Sequence, residues 1–173
     1  MADEPLWYFN GEWVPRSQVL ISPDDRGFNG DTVFDSFRTF GGKIFRLDDH
    51  VDRLYRSLKY MQFEIDETPD EIKEICYEGM RRNADMSENG EFGFYPMVTR
   101  GPGGRTRDAH SPNVIVKVSV NASNGRLAPL YDTGIHGVIV RTRSYPAGSL
   151  DPKVKHHSRM NFALADLEAA AID

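Results

Sequence analysis

One cysteine, Cys76, is the whole thiol content of the 173-residue chain, so no internal disulfide can staple the fold. Missing too is any apolar run approaching the roughly 20 residues that cross a bilayer as a helix, which sets membrane insertion aside. The opening stretch, MADEPLWYF, has neither a basic n-region nor an apolar h-region; no export signal is visible and a cytoplasmic protein is expected. Positive charge is in deficit: 21 Lys and Arg against 26 Asp and Glu give a formal charge of -5, which leaves no global field to hold nucleic acid. No nucleic-acid partner is expected. Repeats, heptads and low-complexity tails are absent as well. What is present, 39% hydrophobic and 27% charged residues, suits one core, or one core and part of another.

Local patterns give an order of elements. Asn10-Gly11 between the apolar-aromatic runs of LWYFNGEWV predicts a tight hairpin, because both turn positions need positive φ. A second hairpin is predicted over 32–47 around Gly41-Gly42, with Phe34, Ser36, Arg38 and Phe40 on one strand face and Val33 and Phe37 on the other. From Asp48 the period turns helical through Val51, Leu54, Leu58 and Met61, and a second helix opens at Thr68-Pro69 with the stripe Ile72, Ile75, Cys76 and Gly79, ending near Asn83. On that stripe Cys76 reads as a small buried hydrophobe rather than a nucleophile. Strands are predicted at 92–99, 114–120 and 137–142, and the last segment, MNFALADLEAAA, reads as a helix with Met160, Ala163, Leu164 and Leu167 on one stripe. The fold class expected is α+β, an antiparallel sheet with two helices packed on one face.

Four stretches in this order resemble the N-terminal half of the fold-type-IV, or class IV, pyridoxal-phosphate enzymes: DDRGFNGDTVFDSFRTFGGKIFRLDDHVDRLYRSLKYM (24–61), MVTRGPGGR (97–105), DPKVKHHSR (151–159) and LADLEA (164–169). That family includes branched-chain and D-amino-acid aminotransferases, (R)-amine transaminases and 4-amino-4-deoxychorismate lyase. Its acidic-Arg-Gly turn, strand, short hairpin and His-x-x-Arg-Leu-x-x-Ser are matched here, the last by His50, Arg53, Leu54 and Ser57. The resemblance implies a small domain over 1–142 and, over 143–173, an interdomain loop and a lysine-bearing lead into a second domain. That second half, by resemblance, supplies the acid facing the pyridine nitrogen and most of the phosphate cup. It also implies a homodimer.

Lys155 matches the family's Schiff-base lysine in the pattern DPxVK, and the cofactor implied is pyridoxal 5'-phosphate. Charge pattern alone would leave Lys155 a solvated loop lysine; the motif order turns that reading, with Lys153 as the neighbour that should be dispensable. Arg53 matches the phosphate-binding arginine, since a guanidinium is a charged, planar donor fork. His50, Arg53 and Ser57 share one helix face, away from the centre of the apolar stripe, and an exposed Arg53 paired with Asp49 or Asp52 is the alternative. His50 reads as structural. The loop GPGGRTRDAH offers Arg105, Arg107 and His110 as a loose counterpart of the family's carboxylate trap, or else a solvated hairpin.

Substrate choice is where the chain departs from its relatives. Tyr95 stands where branched-chain enzymes have an arginine, and Phe34 where D-amino-acid enzymes have a tyrosine. The implied activity is amino-group transfer from an amino acid or amine to a 2-keto acid through an aldimine on Lys155. Two alternatives stay open: 4-amino-4-deoxychorismate lyase, supported by HHSR after the lysine and by RGPGGR, and a non-catalytic scaffold. No metal is expected, because adjacent His156 and His157 diverge in an extended segment and no further ligand has metal-binding spacing.

Overall fold

The computed structural model describes residues 4–108, 111–123 and 127–172. The first hairpin joins β1 (Leu6–Phe9) to β2 (Glu12–Pro15), with Asn10 at φ 48° and Gly11 at φ 93°. Both turn positions take the left-handed conformation, whose twist matches that of the flanking strands.

The second hairpin departs from the single strand expected over 32–40. It is divided into β3 (Thr32–Phe34) and β4 (Phe37–Phe40), and β5 (Lys43–Ile44) returns across Gly41-Gly42. The cause lies on the neighbouring strand, β6 (Phe92–Thr99). β6 pairs Met97 with Phe34 and Phe94 with Phe37, so the register runs through without a slip. At the break the Asp35 N–H donates to the Pro96 carbonyl at 2.9 Å, and Pro96 has no N–H to return the bond. The side-chain faces are those expected: Val33 and Phe37 join the main core while Phe34 joins a smaller cluster on the opposite face. Alternation also carries Asp35 to the helix side, where it is 0% exposed.

β7 (Asn113–Val120) pairs with β6 along its whole length and with β1 on its other edge. Among the described residues the antiparallel sheet has the order β2-β1-β7-β6-β4-β5, with β3 also beside β6. Helices α1 (Leu47–Met61) and α2 (Pro69–Arg82) cover one face, where Val51, Leu54, Leu58, Ile72 and Cys76 meet Val33, Phe94, Val116 and Val118. Each large aliphatic buried there contributes about 1.5–3 kcal/mol. α2 starts where Thr68, Pro69 and Glu71 dictate: the Thr68 hydroxyl accepts from the Glu71 N–H and the Glu71 carboxylate accepts from the Thr68 N–H at 2.7 Å. At its end the buried Asn83 side chain accepts from the Leu6 N–H and donates to the Leu6 and Gly79 carbonyls, tying α2 to β1.

The strand expected over 137–142 is not formed. Ile139 is 94% exposed, and the Arg141 and Thr142 N–H groups donate to the Glu168 carboxylate instead of to a neighbouring strand. β-propensity needs a sheet edge to act on, and this segment meets none among the described residues. After the single turn α3 (Leu130–Thr133), α4 (Met160–Ala170) forms as its composition dictates. Its stripe, however, stays exposed at Met160, Leu164 and Leu167.

Candidate active site

Lys155 is fixed through its backbone by two elements. Along β3, the Phe34 N–H donates to the Lys155 carbonyl at 3.0 Å and the His157 N–H donates to the Thr32 carbonyl at 2.9 Å, with Val33 facing His156. From α1, the Ser57 hydroxyl accepts the Lys155 N–H at 3.1 Å and donates to the Arg53 carbonyl at 3.0 Å. Val154, 7% exposed, anchors the segment in the core. The Lys155 amine lies 4.3 Å from the centroid of the Phe34 ring. Lys153 is exposed. Burial lowers the Lys155 amine below the ordinary lysine range; Asp35 opposes the shift, and Arg53 and Arg159 add to it.

The α1 face carrying His50, Arg53 and Ser57 is turned toward this lysine. Arg53 pairs with neither Asp49 nor Asp52. It donates from Nε and Nη2 to the two carboxylate oxygens of Asp35, each at 2.7 Å, while His50 Nδ1 lies 2.9 Å from Asp35 Oδ1. Asp35 raises the Arg53 guanidinium further above its already high range. His50 stacks on Phe37 at 4.8 Å, which fits the structural part expected of it. The fork fixes the guanidinium plane and leaves Nη1 uncommitted to Asp35.

Of the residues offered for substrate contact, Phe34 and Tyr95 are brought together. Their rings stack at 4.8 Å, and the Tyr95 hydroxyl lies 2.9 Å from His157 Nε2. Arg105 and Arg107 are not gathered to Lys155. They stand exposed on a loop that Arg26 holds through the Gly104 carbonyl and the Thr106 hydroxyl, and Arg107 lines a separate groove with Tyr60 and Arg100. His110 lies outside the described residues. Sequence reasoning does not single out Asp35 as a site residue; its signal is an acid between Val33 and Phe37 on the inward side of a strand. His157 enters that reasoning only within the DPKVKHHSR stretch and as a metal ligand that is set aside.

A cavity of about 240 Å³ gathers Arg53, Tyr145, Lys155, His156, Arg159 and Phe162. The groove of about 960 Å³ beside β1 is larger, but its wall of Glu67, Glu71, Glu74 and Glu78 repels a phosphate. The smaller cavity has the donor set that a phosphorylated aldehyde requires: an amine of lowered basicity, an arginine whose Nη1 is not taken up by Asp35, and a buried His156 Nδ1 that has no hydrogen-bond partner among the described residues. These residues fit pyridoxal 5'-phosphate.

The fold is that of the class IV aminotransferases. The structure superimposes with a TM-score of 0.84 on the T.th. branched-chain amino acid aminotransferase solved with N-(5'-phosphopyridoxyl)-L-glutamate, at 25% identity, covering 99% of this chain and 57% of that one. The family described as amino-transferase class IV matches residues 32–173, and the chain belongs to it. A putative branched-chain-amino-acid aminotransferase of Methanocaldococcus jannaschii is 32% identical over 165 residues, which are 94% of this chain and 54% of that protein. A D-alanine aminotransferase of Staphylococcus haemolyticus is 30% identical over 108 residues, 62% of this chain and 37% of that one. The chain thus spans about half the length, or less, of these relatives.

Proposed function

We propose that this chain is the lysine-bearing N-terminal part of an aminotransferase that moves an amino group between an amino acid or amine and a 2-keto acid. The observation that carries the reading is that Lys155 and Arg53 line one cavity. A relative with a phosphopyridoxyl adduct supports the choice of cofactor. When bound, pyridoxal 5'-phosphate supplies the electron sink for charge left at the substrate's α-carbon. Lys155 would hold the cofactor through its amine, and Arg53 would hold the phosphate. Lys155 Nζ would serve as the base that takes the proton from the substrate's α-carbon and delivers it to the cofactor rather than back to that carbon; its lowered basicity keeps more of it in the neutral form that can act as a base. Phe34 and Tyr95 wall the substrate side. In this reading residues 143–155 link the unit over 1–142 to a second domain, and the enzyme works as a cytoplasmic homodimer.

The names of the relatives favour transfer over release of pyruvate from 4-amino-4-deoxychorismate. Both reactions begin with the same proton removal, so the partner reaction discriminates. Cofactor-loaded protein given a panel of D- and L-amino acids and (R)-amines, without keto acid, should shift its absorbance to the pyridoxamine form for at least one member, and a keto acid should restore it. An unchanged spectrum with every amine, alongside pyruvate release from 4-amino-4-deoxychorismate, rejects the proposal in favour of the lyase.

A further inference from the structure

We propose that Ser57 is a positioning residue of the Lys155 site, one whose hydroxyl sets the separation between Lys155 and Arg53 and so favours a ligand that engages both at once. The inference rests on the reading of Lys155 as the cofactor lysine and of Arg53 as the phosphate holder. A serine inside a helix can donate its hydroxyl to the carbonyl four residues back, and Ser57 does so to the Arg53 carbonyl at 3.0 Å. That bond fixes the hydroxyl rotor and leaves its lone pairs to accept. One of them accepts from the Lys155 N–H at 3.1 Å. Ser57 is 1% exposed, so bulk water competes for neither bond.

These bonds close a circuit. Arg53 holds the Asp35 carboxylate through Nε and Nη2, Asp35 follows Phe34 in the chain, and the Phe34 N–H donates to the Lys155 carbonyl at 3.0 Å. From Lys155 the path returns through the Ser57 hydroxyl to Arg53. Among the described residues this hydroxyl is the one hydrogen bond that ties α1 to Lys155 itself. Tyr60, on the same helix, accepts from the Asp151 N–H at 3.2 Å, but four residues before the lysine and from a position that is 46% exposed. Opening the circuit at Ser57 deprives the Lys155 N–H of its acceptor and frees the segment to shift against α1, while Arg53 stays clamped to Asp35. Two groups that must grip one molecule reinforce each other only while their separation is held. A ligand that uses one of them alone does not depend on it.

Three probes separate these cases: pyridoxal 5'-phosphate can use both groups, pyridoxal only Lys155, and inorganic phosphate only Arg53. Equilibrium titration of the full chain, by absorbance for the two aldehydes and by calorimetry for phosphate, should show that wild type prefers pyridoxal 5'-phosphate to pyridoxal. Ser57→Ala should lose about tenfold of that preference, the size of one buried hydrogen bond, with the affinities for pyridoxal and for inorganic phosphate unchanged. Ser57→Thr keeps the hydroxyl and should keep the preference. Ser57→Cys, whose sulfur is a weaker acceptor, serves the same comparison if the alanine variant does not fold. Failure of the wild type to take cofactor on Lys155, read by mass after borohydride reduction, overturns the underlying reading. With cofactor in place, a wild-type preference in Ser57→Ala overturns this inference alone. So does a loss of phosphate affinity equal to the loss of cofactor affinity, because Arg53, and not the separation, would then be what Ser57 controls.

Discussion

Replacing Asp35 with asparagine preserves shape and removes a single charge from beneath the site. The Asp35 side chain is 0% exposed and that of Arg53 is 40% exposed, so the two halves of the ion pair differ in the cost of losing a partner. Breaking a buried pair costs about 3–5 kcal/mol when the remaining charge stays uncompensated. In Asp35→Asn the remaining charge is Arg53, which can regain water, so the cost falls to about 1–2 kcal/mol. For a chain of this size that is a drop in Tm of roughly 2–8 °C. In Arg53→Ala the survivor is a carboxylate shut in the core, and the loss should approach the full 3–5 kcal/mol, or about 6–20 °C. The double variant should lie well short of the sum, with a coupling of about 1–3 kcal/mol. Thermal and urea melts of the four proteins, followed by circular dichroism, give the cycle. Additivity within about 0.5 kcal/mol would show that Asp35 and Arg53 are not partners, and the positioning of Arg53 would need another cause.

Measured in the Asp35→Asn background, where the stranded carboxylate no longer interferes, Arg53→Ala should weaken pyridoxal 5'-phosphate binding roughly ten- to a hundredfold; an unchanged Kd in cofactor titration makes Arg53 a purely structural cation. Gly101 sits at φ +84°, and a Cβ there would lie 1.9 Å from the Ser111 carbonyl oxygen, so Gly101→Ala should melt several degrees lower; an unaltered Tm contradicts the close approach of these two loop ends. Burial raises the Cys76 thiol from 9.0 to about 12. The native state therefore keeps a proton that the unfolded chain releases, so stability from this group is intact below pH 9 and is lost as pH rises toward 12. The loss should be about 1.4 kcal/mol per pH unit in that window, and the margin of wild type over Cys76→Ala in urea melts should shrink between about pH 8 and 11. A constant margin contradicts the burial.

Local chemistry made the hairpin at Asn10-Gly11, the start of α2 at Thr68 and the length of β6 legible in the sequence, because each is decided by residues adjacent in the chain. The division at Asp35 was not, because its cause is Pro96, on a different strand and 61 positions away. The strand expected at 137–142 failed for the same kind of reason, since a sheet edge is a property of the fold. In the site, the face of His50, Arg53 and Ser57 followed from helical spacing, while the partner of Arg53 did not, because ion-pair rules reach only i+3 and i+4 neighbours such as Asp49.

One amine, that of Lys155, stands at the centre of the site. Cofactor-loaded protein reduced with borohydride, digested and mapped by mass spectrometry should carry a pyridoxyl group on Lys155 alone, with the exposed Lys153 two residues away unlabelled. Label on Lys153, or scattered over surface lysines, would mean that the lowered basicity and cavity position of Lys155 have nothing to do with holding the cofactor.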